Sequence, residues 1–124
     1  MDLCHEPTRA LAAFVVKTRD EDVPPAIRSR AKTCLLDWIG AALSGKGSPT
    51  DRSLTPVIGG LGGRRRATLI GSRRGAPPAL AALYNGTIAA VTEIDDVHDL
   101  VSLHPGIGVI PAALAVAEDA EATG

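Results

Sequence analysis

The stretch PPAIRSRAKTCLLDWIGAAL, residues 24–43, decides the fold class of this chain. Pro24 and Pro25 suit a first helical turn, where a missing backbone N–H costs nothing. Ile27, Ala31, Cys34, Leu35, Trp38, Ile39 and Ala42 then recur at helical spacing and form one apolar stripe. Gly45 and Gly47 mark its end. The spacing predicts a helix over about 24–43 with its stripe turned to a core.

Upstream, Leu11, Ala12, Val15 and Val16 predict a first short helix over about 8–18, with Thr8 as its N-cap. The acidic run Asp20-Glu21-Asp22 is expected to cap the helix that follows. Downstream, residues 45–75 hold most of the glycine and, from 64 to 74, five arginines, Arg64, Arg65, Arg66, Arg73 and Arg74. A short helix from Asp51 to Ile58 and a brief extended run from Ala67 to Ile70 fit inside this region. Its glycine pairs match neither G-x-G-x-x-G nor the P-loop, so they read as turns. The arginines suit an anionic substrate or a subunit contact, although a solvated loop accounts for them more simply.

Pro77-Pro78 opens a further helix through Ala81, Ala82, Leu83, Ile88, Ala89 and Val91, side chains too apolar for an exposed element. Pro105-Gly106 is expected to break the chain before Val109, Ile110, Ala113, Leu114, Val116 and Ala117 resume helical spacing. The reading is therefore an all-α helical bundle in one domain.

Composition narrows the function. The 124 residues are 45% hydrophobic but include one Phe, one Trp and one Tyr, so small aliphatic side chains, alanine above all, must fill the core. A net charge of -1 leaves no electrostatic footprint for nucleic acid or an anionic membrane. Cys4 and Cys34 lack zinc or disulfide-framework spacing, which fits a reducing cytoplasm. The N-terminus lacks the charge and cleavage pattern of a signal peptide, and no apolar run approaches the roughly 18–20 residues of a membrane span. A soluble, cytoplasmic protein is expected.

Chemistry concentrates in residues 93–104, where Glu93, Asp95, Asp96 and Asp99 stand with His98 and His104 between two apolar stretches. Titratable groups set against a hydrophobic wall are suited to proton transfer. His104 precedes Pro105, which disfavours a helical backbone at 104 and holds its side chain at the mouth of the last helix. Asp95 and Asp96 can act as general bases, as acceptors that orient a histidine, or as loop residues that solvate a helix end. A divalent metal held by Asp95, Asp96, His98 and His104 is a weaker reading, because the spacing matches no diagnostic ligand signature.

Asn85-Gly86, Glu93-Ile94-Asp95-Asp96, His104-Pro105-Gly106 and the run from Val109 to Glu118 resemble the N-terminal part of the MmgE/PrpD family, as do Asp37-Trp38-Ile39-Gly40 and Ala67-Thr68-Leu69-Ile70-Gly71. The family includes 2-methylcitrate dehydratase, cis-aconitate decarboxylase and iminodisuccinate epimerase. The resemblance implies cofactor-independent lyase or isomerase chemistry on small di- or tricarboxylates, in a large helical domain with a smaller α/β lid. It places the family's His-Pro histidine on His104 and its acidic motif on Glu93, Asp95 and Asp96.

His104, Asp95 and Asp96 are thus the expected catalytic residues, Glu93 and His98 the expected substrate-binding ones, with no metal. Val97 stands where relatives often carry a hydroxyl, and the family's later lysine, histidine and tyrosine lie beyond Gly124. The chain is expected to be a partial helical domain, dimeric, inactive until the rest of the pocket is supplied. The alternative is a non-catalytic helical oligomerisation module derived from the same family.

Overall fold

The structure is a computed structural model that describes residues 5–123, so Cys4 lies outside the described residues. Among these there are five α-helices and one two-stranded hairpin: the chain is all-α. It divides into two compact units, residues 1–32 and 33–124.

In the first unit, α1 spans His5–Lys17. Thr8 is therefore inside the helix and not its cap. Pro7 and Glu6 occupy the first turn, where proline loses no hydrogen bond and a carboxylate complements the helix dipole. Asp20–Asp22 also depart from expectation, forming a 3-10 turn of their own. Val23 behind it is extended, as a residue before proline must be, so the acidic run cannot continue into the next helix. Arg19 pairs with Asp22 at 3.2 Å and Arg28 pairs with Asp20, which ties the turn locally.

Helix α2 spans Pro25–Ser44, close to the expected bounds. Only the later part of its stripe is core: Trp38 and Ala42 are buried, while Ile27 is 57% exposed. In the second unit, α3 (Pro49–Gly60) is longer than expected, because Ser48 accepts the Asp51 N–H at 3.1 Å as N-cap and Pro49 starts the first turn. Strands β1 (Ala67–Thr68) and β2 (Gly75–Ala76) pair antiparallel, Ala67 opposite Ala76.

Helices α4 (Pro78–Ala90) and α5 (Pro105–Asp119) pack against each other. The expected break at Pro105-Gly106 is instead the first turn of α5, with Pro105 in the position where its ring is tolerated. Pro111 removes the donor that the Ile107 carbonyl would otherwise have within α5. A Cβ on Gly86 would lie 2.5 Å from that carbonyl, so glycine is what allows the two backbones this approach.

The core of the second unit centres on Trp38, Tyr84 and Ile88, surrounded by alanines such as Ala42, Ala81 and Ala89. Short β1 is held from both sides by helices. The Asn85 Oδ1 accepts the Ile70 N–H at 2.9 Å and its Nδ2 donates to the Thr68 carbonyl at 2.8 Å. Glu118 of α5 accepts the Thr68 N–H at 2.7 Å. These side chains take the place of neighbouring strands and satisfy backbone groups that would otherwise lack partners.

Candidate functional site

The loop 91–104 joins α4 to α5, and the close packing of those helices brings its ends together. His104 is the N-cap residue of α5, with a non-helical backbone at φ of -103° and ψ of 84°. Its Nδ1 lies 2.8 Å from Oδ2 of Asp95, a buried side chain. A carboxylate can only accept, so the pair places the proton on Nδ1 and leaves Nε2 free as base or, once protonated, as acid.

Asp96 faces another way. Its Oδ1 accepts the Gly106 N–H at 2.9 Å, satisfying one of the unpaired donors in the first turn of α5 and setting a negative charge at the positive end of the helix. Any Cβ on Gly106 would strike that carboxylate. The adjacent aspartates thus do different work: Asp95 orients the histidine and Asp96 anchors the helix that carries it.

A cavity of about 380 Å³ opens here, lined by Ala90, Glu93, Asp95, His104 and Ile107. Glu93 sits in its wall with φ of 51°, a left-handed conformation that costs a non-glycine residue on the order of 1 kcal/mol. Such strain is retained where the surroundings require one direction of a side chain. Of the five residues selected from sequence, Glu93, Asp95 and His104 meet at this cavity. Asp96 and His98 are not part of its lining. His98 is exposed and is tied by its backbone, whose N–H donates to the Leu103 carbonyl at 2.7 Å.

Among the described residues no three His, Cys, Asp or Glu side chains are grouped to hold a metal ion. The ligand set Asp95, Asp96, His98 and His104 is not assembled, because Asp96 is committed to Gly106 and His98 points to solvent.

A second polar cluster was not visible as such in the sequence. Tyr84, buried in α4, donates to Asp51, and Lys46 donates to both the Tyr84 hydroxyl and, at 2.9 Å, to Asp51. The Gly47 N–H and Thr55 hydroxyl complete the shell around Asp51, at 2.8 and 3.1 Å. Burial alone would raise the Asp51 carboxyl, but these hydrogen bonds outweigh it and hold it well below the usual carboxylate range. Burial likewise works against the Lys46 ammonium, and the Tyr84 and Asp51 contacts more than offset it, so its pKa is raised. Two signals pointed here: the Ser48-Pro49-Thr50-Asp51 helix start, and the chain's one tyrosine on a mostly apolar helix, whose hydroxyl must find a partner when buried.

The chain is all-α and seats a histidine, hydrogen-bonded to a buried carboxylate, at the start of a helix. It belongs to the MmgE/PrpD family: the MmgE/PrpD N-terminal domain matches residues 9–124. Relatives include the cis-aconitate decarboxylase-like protein oryM of Aspergillus oryzae, 32% identical over 90% of this chain and 23% of its own length. The cis-aconitate decarboxylase of Aspergillus terreus is 30% identical over 79% of this chain and 20% of its own length. The chain therefore spans about a fifth of the length of the relatives it matches. No helix among the described residues is long and apolar enough to cross a membrane.

Proposed function

We propose that this chain supplies the proton-transfer wall of a cofactor-independent lyase or isomerase acting on small di- or tricarboxylates. The observation that carries the reading is the His104–Asp95 pair at the edge of a cavity also lined by Glu93. Loss of water or carbon dioxide next to a carboxylate leaves or consumes negative charge on carbon, and a positioned imidazole supplies or removes the proton there. His104 takes that role through Nε2. Asp95 keeps its ring oriented, Asp96 holds the helix end, and Glu93 contacts or orients the substrate, whereas His98, exposed and outside the cavity lining, does not take the substrate-binding role expected of it. The names of the relatives favour decarboxylation of the cis-aconitate type over dehydration of 2-methylcitrate.

The wall described here is acidic apart from His104, and it would repel a polycarboxylate on its own. The cations that hold the substrate come from polypeptide corresponding to the remaining length of the relatives. We read the exposed Leu100, Val101 and Leu103, which border the site in sequence, as part of the surface that such a polypeptide covers. The complete protein is read as a cytoplasmic homodimer. The same exposed side chains support the alternative, a non-catalytic helical oligomerisation module.

The test is a carbon dioxide release and substrate-loss assay of the full-length polypeptide with cis-aconitate and 2-methylcitrate, wild type against His104→Gln. Turnover lost in the variant supports the lyase reading. A folded full-length protein that turns over neither acid would favour the module.

A further inference from the structure

The five arginines between Gly63 and Gly75 have no part in the site above, and the structure does not leave them equivalent. Arg66 is neutralised by Glu121 at 2.6 Å and Asp119 at 3.5 Å. Arg65 and Arg74 have no acidic partner among the described residues. The hairpin brings them together: Gly75 pairs with Thr68, the Leu69 N–H donates to the Arg74 carbonyl at 3.2 Å, and a Cβ on Gly75 would lie 2.9 Å from the Arg65 carbonyl. Two arginines distant in sequence thus flank the hairpin and line one cavity.

They overlook a cavity of about 320 Å³ between α3, the hairpin and Tyr84. Lys46 reaches the same cavity, its Nζ 5.2 Å from the centre of the Tyr84 ring. Ser72 and Thr55 add hydroxyls, while Ile58 and Leu69 supply an apolar wall. No carboxylate lines this cavity among the described residues, although Asp51 balances Lys46 from behind. Gly71, at φ of 69°, leaves room for the Lys46 stem, since a Cβ there would lie 2.9 Å from its Cγ. A pocket with a lysine at one side, two unpaired arginine forks at another and an apolar wall has the chemistry to hold a compact organic anion.

We propose that this pocket, formed by Arg65, Arg74 and Lys46 with Tyr84, binds a small organic dianion with an apolar body, at a site separate from the His104 cavity. Phosphate monoesters and polycarboxylates share that chemistry. Tyr84 and Ala90, one in each cavity, lie on the same helix about 9 Å apart along its axis, so an occupant here touches the element that forms the other wall. The inference does not depend on the lyase reading.

Calorimetric titration of the full-length polypeptide with glycerol 2-phosphate and, separately, tricarballylate tests it. The expected result is a binding event, separate from any that tricarballylate makes at the His104 cavity, that Arg65→Ala/Arg74→Ala weakens at least about tenfold, because the charged hydrogen bonds are lost. The pair Arg64→Ala/Arg73→Ala removes equal charge from residues outside the cavity lining and should change binding less than about twofold. His104→Gln should leave that event unchanged. Whichever probe binds identifies the source of the anion.

Both arginine side chains are exposed, so the variants should fold, as circular dichroism would verify. If the alanine pair did not, Arg65→Lys/Arg74→Lys keeps the charge, removes the forks and should still weaken binding. Absence of saturable binding by either probe would overturn the proposal. Equal weakening by both arginine pairs, or loss in His104→Gln alone, would do the same.

Discussion

Asp95 receives the Nδ1–H of His104 at 2.8 Å across the loop 91–104, from a buried position next to a histidine that is only partly buried. The carboxylate thus fixes which imidazole nitrogen faces the cavity. Under the proposed lyase function, replacing His104 with Gln in the full-length polypeptide should lower turnover by on the order of 100-fold with the fold intact. Asp95→Asn should lower it by about 10- to 100-fold, since the ring then loses its orienting partner. Steady-state kinetics checks both, and an unchanged rate in His104→Gln would remove that residue from the mechanism.

Gly106→Ala would drive a methyl group into the Asp96 carboxylate that caps α5. Displacing that group should cost about 1 to 3 kcal/mol. It should also lower turnover, because His104 sits two residues away on the same helix start. Urea unfolding and kinetics on one preparation would show whether the two losses occur together.

Asp51 gives the protein an acid-sensitive contact. Its folded pKa is depressed below the ordinary value of 3.8, so its stabilisation is present above that value and is lost as pH falls below it. Lys46 has the opposite sign: its raised pKa contributes fully below 10.5 and is lost as pH rises through the folded value. Asp51→Asn should cost about 1 to 3 kcal/mol at pH 7, because the half-buried Lys46 ammonium loses its counter-charge and the buried Tyr84 hydroxyl loses a charged acceptor. Its stability should also fall less steeply than that of the wild type below pH 4. Chemical unfolding between pH 3 and pH 7 measures both.

Trp38 is 2% exposed, and its indole N–H has no hydrogen-bond partner among the described residues. Trp38→Ala should cost about 3 to 5 kcal/mol by opening a cavity in the core. Trp38→Phe should cost less, because it keeps much of the apolar volume and removes an unpartnered buried donor. Melting curves of the two variants would order them, and a negligible loss in Trp38→Ala would contradict the core assignment.

Helix positions were legible along the chain because they follow from local rules. The stripe around Trp38, the prolines at 25 and 78 that begin helices, and the apolar run of α4 act within a few residues of themselves. The alanine-rich core followed from composition for the same reason. The charged segment 93–104 was equally visible, since a cluster of titratable residues between apolar stretches needs no structure to be noticed. Other matters depended on residues distant in sequence. Whether Ile27 or Trp38 on one stripe became core was decided by where partners pack, which periodicity does not encode.

The division of labour between Asp95 and Asp96 was likewise tertiary. The close approach of α4 and α5 set one carboxylate on an imidazole and the other on a backbone N–H. The union of Lys46 and Asp51 with Tyr84, and of Arg65 with Arg74, arose the same way. Local spacing sets which residues share a helix face, whereas the partner of a buried charge is set by the three-dimensional packing that removes it from water.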